Sequence, residues 1–136
     1  MKELRLTATR DSLDQVNAFL EEELENLECP PKITMQLLVA LEELYVNIAS
    51  YAYAPATGEA LIQLDYRDED SMILLILNDW GKPFNPLEKE DPDVTLSAEE
   101  RDIGGLGIYM VKKSMDLFTY ERKDGKNIVT IGRKLG

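Results

Sequence analysis

The segment Gln36–Tyr53, QLLVALEELYVNIASYAY, constrains the fold of this chain more than any other stretch. Its apolar residues point in most directions around a helix of about 3.6 residues per turn, which predicts a central helix buried on nearly all sides. Glu43 and Asn47 are four residues apart and therefore share one face of that helix. Glu42 points away from this face, towards a solvated edge.

An acid and an amide on a buried helix need polar surroundings. Burying an unpartnered carboxylate costs several kcal/mol, so a metal ion, a polar ligand or a water-lined cavity is expected to face Glu43 and Asn47. Taken alone, the pair also fits a wet helix margin, where glutamate and asparagine mostly lie. The rest of the sequence decides between these two interpretations.

Length and charge narrow the class of protein. A chain of 136 residues is enough for one sizeable core, so we predict a single domain over residues 1–136. With 26 acidic and 15 basic residues, the net charge of −11 disfavours binding to nucleic acid. Any anionic ligand would need backbone N–H groups, a metal ion and a few local cations.

The residue types that are missing exclude several chemistries. There is no histidine, which removes histidine-based acid–base catalysis, and a single cysteine, Cys29, cannot form an internal disulfide. The amino terminus lacks the apolar core of a signal peptide, and the longest apolar run, Met72–Leu77, is too short to span a membrane. We therefore expect a soluble, cytoplasmic protein without membrane contacts.

Hydrophobic periodicity predicts both helices and strands. The run MILLIL at residues 72–77 is typical of an inner strand buried on both faces. Asp124-Gly125 predicts a hairpin turn, and the polar residues 86–103 predict a long loop of the kind that forms lids. The predicted strands are 3–9, 60–66, 71–78, 117–122 and 127–134, and the predicted helices are 13–27, 36–53 and a third that begins within residues 103–108 and ends near residue 116.

Two further motifs stand at ends of predicted elements. Asp79-x-Gly81 follows the buried strand, and Gly104-Gly105-x-Gly107 opens the last helix, where free N–H groups can bind an anion. Each motif alone also fits a turn, a cap or a packing site. The glycines match neither a P-loop nor a dinucleotide-binding fingerprint.

The order of the motifs is more specific than any of them alone. Glu43-x-x-x-Asn47, Asp79-x-Gly81 and Gly104-Gly105-x-Gly107 together resemble the histidine-kinase-like ATP-binding domain, known as the Bergerat or GHKL fold. Within that family the chain is most similar to small bacterial anti-sigma-factor serine kinases, over nearly its whole length. The resemblance implies an α/β sandwich with a mixed, mostly antiparallel sheet covered on one face by helices.

The resemblance also implies roles for the matching residues. Glu43 would be the general base, Asn47 a ligand of phosphate-bound Mg²⁺, and Asp79 the acceptor of the adenine amino group. Gly81 would let the backbone pass close to the base. The further residues implied to contact ATP are Phe84, Gly104, Gly105, Leu106 and Gly107.

The implied activity is that of an ATP-dependent serine/threonine protein kinase and anti-sigma factor. Its partners would be an anti-anti-sigma protein of the STAS type and a sigma factor or comparable regulator, and the family often forms homodimers. Glu43 favours a hydroxyl acceptor over histidine, which argues against the detached catalytic half of a histidine kinase. The alternative is a regulatory module that binds ATP and sequesters a partner without transferring phosphate.

Overall fold

The computed structural model describes residues 1–88 and 105–135, without the side chains of residues 105 and 106. The predicted lid therefore lies outside the described residues, apart from a short 3₁₀ turn at Pro86–Glu88. The prediction of one domain over the whole chain stays a prediction. The main elements are β1 Lys2–Thr7, α1 Leu13–Asn26, α2 Pro31–Asn47, β2 Glu59–Arg67, β3 Met72–Asp79, α3 Gly105–Ser114, β4 Leu117–Lys123 and β5 Lys126–Lys134.

The five strands form one sheet in the order β1-β2-β3-β5-β4. Every ladder among these strands is antiparallel, and the helices cover one face, which confirms the predicted architecture. β3 and β5 are neighbours in space, although α3 and β4 separate them in sequence. Their register places Asp79, at the end of β3, opposite Asn127, at the start of β5.

The core lies between the helices and the covered face of the sheet. Leu20 of α1, Leu41 of α2 and Leu75 of β3 are fully buried there, and each such side chain contributes roughly 1.5–3 kcal/mol of hydrophobic stabilisation. Leu74 and Ile76 lie on the other face of β3 and are only half-buried. The expectation of a strand buried on both faces was wrong, because the second face of the sheet carries no helix among the described residues.

Helix α2 differs from the prediction in its start and in its burial. It begins at Pro31, five residues before the predicted start, because proline is well tolerated in the first turn of a helix. Its buried residues form one stripe, whereas Met35 and Val39 on the opposite side are 61% and 49% exposed. The prediction of burial on nearly all sides was therefore wrong: the sheet and the flanking helices leave the outer face of α2 open.

The end of α2 also differs from a single regular helix. The α-helix ends at Asn47, and a π-helical turn, Ile48–Ala52, continues it. The Asp124-Gly125 hairpin is confirmed, since both residues have positive φ, 53° and 78°. Within residues 1–88 and 105–135, no helix is long and apolar enough to cross a membrane.

Candidate functional site

A cleft open to solvent lies where the end of α2 meets strands β3 and β5. Its walls are mostly apolar, and three polar residues, Asn47, Asp79 and Asn127, project among them. This combination is typical of small-molecule sites, in which a few polar groups set orientation and specificity. The residues that line the cleft are Leu44, Asn47, Ile48, Ala52, Leu77, Asp79, Phe84, Pro86, Asn127 and Val129.

Asp79 is the carboxylate of this cleft and is only 4% exposed. Its Oδ1 accepts hydrogen bonds from the Gly81 N–H at 3.0 Å and from Asn127 Nδ2 at 2.9 Å. Burial raises the pKa of Asp79, and the two hydrogen bonds and the charge of Arg122 partly oppose that rise. Its Oδ2 accepts no hydrogen bond from the described residues, which leaves this oxygen for a donor on a ligand.

Gly81 is buried behind Asp79, against the π-helical turn. A Cβ atom at this position would collide with the Ala52 backbone carbonyl, so the close approach that requires glycine here is to Ala52. The Lys82 N–H donates to that same carbonyl at 3.0 Å, and Arg122 donates to the Gly81 carbonyl at 2.8 Å. The turn after Asp79 is thus fixed from two sides before any ligand binds.

Trp80 lies between Asp79 and Gly81 and is 40% exposed. Its N–H donates to the Tyr53 hydroxyl at 2.7 Å, which ties the turn to the residue after the π-helical segment. The Arg5 guanidinium and the Lys126 ammonium lie 5.4 and 5.9 Å from the indole ring. The indole of Trp80, the residue directly after the cleft carboxylate Asp79, thus lies beside two cations.

Asn127 is the site residue to which sequence reasoning assigned no role. It is 2% exposed, and its Nδ2 donates to Asp79 Oδ1 and to the Lys82 carbonyl, both at 2.9 Å. Its Oδ1 accepts from the Tyr120 hydroxyl at 2.6 Å and from the Phe84 N–H at 3.3 Å. The signal in the sequence is an asparagine just after a hairpin turn, and its meaning depends on the β3–β5 register.

Glu43 and Asn47 lie on one side of α2, as predicted. Asn47 is half-buried and lines the cleft, and Glu43 is half-buried one turn earlier. The Glu43 carboxyl group packs so closely on Gly107 of α3 that a Cβ atom there would collide with it. Glu42 is exposed, in agreement with the prediction that it faces solvent.

The structure brings some of the predicted site residues together and leaves others outside its description. Asn47, Asp79 and Phe84 line one cleft, with Phe84 40% exposed. Gly105 begins α3, and Leu106 follows it in the helix. Gly104 lies outside the described residues. Among residues 1–88 and 105–135, no group of three acidic or cysteine side chains could hold a metal ion.

A match to a family model defines the class of protein to which this fold and cleft belong. A sequence model of the histidine kinase-like ATPase domain matches residues 6–133, and the chain belongs to this family. The family match supports ATP binding and confirms the resemblance drawn from the three motifs.

One characterised protein is similar to this chain in sequence. The chain is 27% identical to the serine/threonine-protein kinase BtrW of Bordetella bronchiseptica over 100 residues, which are 74% of this chain and 70% of BtrW.

Several solved structures are similar in fold, and two of them come from Mycobacterium tuberculosis and Pseudomonas aeruginosa. One contains the RsbU and RsbW domains of Rv1364c from Mycobacterium tuberculosis, with a TM-score of 0.65 at 16% identity over 99% of this chain. The present chain spans 33% of that longer chain. The other is the SiaB–SiaC complex of Pseudomonas aeruginosa, with a TM-score of 0.60 at 13% identity over 96% of this chain and 88% of the matched chain.

Proposed function

We propose that this protein is an ATP-dependent serine/threonine protein kinase that acts as an anti-sigma factor and phosphorylates an anti-anti-sigma protein of the STAS type. The observation that carries the proposal is the position of Glu43. Its carboxylate packs on Gly107 at the start of α3, one helical turn from Asn47 in the cleft. This arrangement supports a proton acceptor beside a bound nucleotide.

Asp79 would select the base of that nucleotide. Its Oδ2, which accepts no hydrogen bond from residues 1–88 or 105–135, can accept one from the amino group of adenine, whereas guanine and hypoxanthine carry a carbonyl oxygen at the same position. A hydrogen bond to a charged group contributes roughly 1.5–3 kcal/mol, which is enough to discriminate between these bases. Phe84 and the apolar walls would cover the faces of the ring.

Magnesium would complete the site together with the phosphates. Mg²⁺ prefers oxygen ligands and usually keeps several waters, so the Asn47 amide and phosphate oxygens would be adequate ligands. The start of α3 would supply backbone N–H groups to the phosphates, and Gly105 and Gly107 would let them approach closely. When bound, Mg²⁺ would neutralise charge on the transferred phosphoryl group.

Glu43 would act as the general base. It would accept the proton of the serine or threonine hydroxyl while that oxygen attacks the γ-phosphorus and the bond to the β-phosphate oxygen breaks. A histidine acceptor needs this help less than a hydroxyl does. The name of the relative BtrW, a serine/threonine-protein kinase, agrees with a hydroxyl acceptor.

The relatives support a protein partner for this chain, and the kind of partner is part of the proposal. The similar Rv1364c structure contains an RsbU and an RsbW domain, and the similar Pseudomonas aeruginosa structure is a complex of SiaB with SiaC. We infer a protein partner of the STAS type and a sigma factor or comparable regulator as the sequestered target, in the cytoplasm. A homodimer is part of this proposal.

Three substitutions on α2 test the kinase proposal. Glu43→Gln should keep Mg-ATP affinity within a few-fold, while phosphate transfer to the partner falls roughly 10²- to 10⁴-fold, because only the proton acceptor is lost. Asn47→Ala should instead weaken metal-dependent ATP binding. Glu42→Gln is the matched control, since Glu42 is exposed next to Glu43, and should transfer at the wild-type rate.

Transfer of labelled phosphate from ATP and calorimetry of ATP binding measure these effects. Wild-type transfer by Glu43→Gln would reject Glu43 as the base. A wild-type protein that binds ATP and transfers nothing to any candidate partner would favour the alternative function, an ATP-binding module that sequesters its partner without phosphoryl transfer.

A further inference from the structure

We infer that Asn127, held by Tyr120 and by the backbone at Lys82 and Phe84, sets the preference of the cleft for a purine with an amino group at position 6, because it locks the Asp79 carboxylate in one orientation. The inference rests on the proposed nucleotide site. Asn127 is thereby a positioning residue that acts on the ligand through Asp79.

The hydrogen bonds of Asn127 are fully used within the protein. A primary amide offers two N–H donors and an oxygen with two lone pairs. Both donors are taken, by Asp79 Oδ1 and the Lys82 carbonyl, and both lone pairs are taken, by the Tyr120 hydroxyl and the Phe84 N–H. Asn127 therefore has no free group for a nucleotide, although it lines the cleft.

This network makes the two oxygens of Asp79 unequal. Oδ1 receives two N–H groups, from Asn127 and Gly81, and Oδ2 receives none among the described residues. Rotation of the carboxylate would break both bonds of Oδ1 in a site that is 4% exposed, where lost hydrogen bonds are costly. The cleft thus presents a fixed acceptor, which favours a ligand N–H and repels a ligand carbonyl.

Backbone groups fix which end of the amide faces Asp79, and the Tyr120 hydroxyl holds that orientation. The Phe84 N–H can only donate and so requires Oδ1, and the Tyr120 hydroxyl then donates to the same oxygen at 2.6 Å. On the other side, the Lys82 carbonyl can only accept and so requires Nδ2. A reversed amide would place acceptor against acceptor and donor against donor. The orientation of the amide is therefore set by three groups of fixed polarity, the Phe84 N–H, the Lys82 carbonyl and the Asp79 carboxylate, and the Tyr120 hydroxyl holds it in place.

ATP and inosine triphosphate test the inference, because their bases differ in the group at position 6, an amine in one and a carbonyl in the other. The wild type should bind ATP at least about tenfold more tightly than inosine triphosphate. Asn127→Ala should reduce this ratio to about threefold or less, mainly by weakening ATP. Tyr120→Phe should give an intermediate ratio, since the amide keeps its other partners.

Tyr53→Phe is the matched control. The Tyr53 hydroxyl also holds the turn after Asp79, through the Trp80 N–H and the Glu59 carbonyl, but it forms no hydrogen bond with Asp79 or Asn127. A general loosening of the turn would lower the ATP preference in Tyr53→Phe as well. We expect Tyr53→Phe to keep the wild-type ratio within about twofold, even if it melts at a lower temperature.

Asn127→Asp supplies a second readout, the pH profile of ATP binding. Two adjacent carboxylates repel each other when both are charged, so one of them takes up a proton more readily than usual. That proton can restore a donor towards Asp79 Oδ1. ATP affinity of Asn127→Asp should therefore rise as the pH falls from about 8 to about 5.5, by more than any change in the wild type.

The outcomes separate this inference from the proposed function. A wild type that binds neither nucleotide would overturn the proposed ATP site and the inference with it. A wild type that binds both nucleotides equally would overturn the inference and leave a nucleotide site standing. With a selective wild type, the role of Asn127 alone would be refuted if the ratio survives Tyr120→Phe and if ATP binding to Asn127→Asp depends on pH no more than in the wild type, whether or not Asn127→Ala folds.

Discussion

Asp79 shows a conflict between stability and binding within a single residue. Its pKa is raised above the usual 3.8 because it is buried, so the folded protein holds this proton more tightly than the unfolded chain does. Below a pH near 3.8, the pKa of Asp79 in the unfolded chain, the protonated carboxyl contributes its full stabilisation to the fold. This contribution is lost as the pH rises through the higher pKa that Asp79 has in the folded protein. At neutral pH the charged side chain therefore costs stability.

Asp79→Asn should relieve that cost and damage binding. The amide oxygen can still accept from Gly81 and Asn127, so the variant without nucleotide should melt at a higher temperature than the wild type at pH near 7. The difference should shrink below about pH 4, where the wild-type carboxyl is neutral. Calorimetry should show ATP binding weakened at least about tenfold. A less stable variant at neutral pH, or unchanged affinity, would contradict this account.

The site was predictable from the sequence where a residue carries its own signal. Glu43 and Asn47 share a face at a spacing of four, and Asp79 ends an apolar strand before a glycine. Asn127 carries only its position just after a hairpin turn, because its role exists only once β5 pairs with β3 and places it opposite Asp79. Pairing between strands that are distant in sequence is what residue-level reasoning could not supply.

At the scale of elements, periodicity located α1 and the five strands to within two residues at nearly every boundary. It did not predict the burial of α2, since the sequence does not distinguish an apolar residue on the outer face of a helix, such as Val39, from one in the core. It also missed the π-helical turn Ile48–Ala52. That turn places the Ala52 carbonyl against Gly81 and the Lys82 N–H. These partners are distant in sequence, so the periodicity of the helix itself could not indicate the turn.

The β4–β5 hairpin offers a test of local turn chemistry. Gly125 has φ of 78°, and no atom outside its chain neighbours lies within 4 Å of the position that a Cβ would occupy. Gly125→Ala should thus cost only backbone strain, roughly 1–2 kcal/mol in the free energy of unfolding, measured by urea denaturation. Gly125→Asn is the control and should lose less, because asparagine tolerates this conformation. Equal losses in both variants would argue against backbone strain as the cause.

At the scale of the whole molecule, bound nucleotide should stabilise the fold by joining α2 to β3 and β5. A ligand at about 100 times its dissociation constant adds about 2.7 kcal/mol to the free energy of unfolding, which corresponds to a rise of roughly 10 °C in melting temperature for a domain of this size. Asp79→Asn should abolish most of that rise. A full rise in the variant would show that the ligand binds elsewhere.

Trp80 gives an independent measurement of the same event. It is the single tryptophan of the chain and neighbours Asp79. Its fluorescence should change with ATP at the concentration that produces the thermal shift. No change at saturating ATP would place the nucleotide away from the Asp79–Gly81 turn.

The interleaved order of the strands also has a consequence for the time at which the site can exist. Asp79 and Asn127 are 48 residues apart in sequence. A ribosome that adds about 5–20 residues per second makes the second of them about 2 to 10 s after the first. Until β5 has been made, β3 is an uncovered edge of a β1-β2-β3 sheet, and the Asp79 carboxylate lacks the amide that orients it. A nascent chain therefore cannot assemble the nucleotide cleft from its first half and acquires it only late in synthesis.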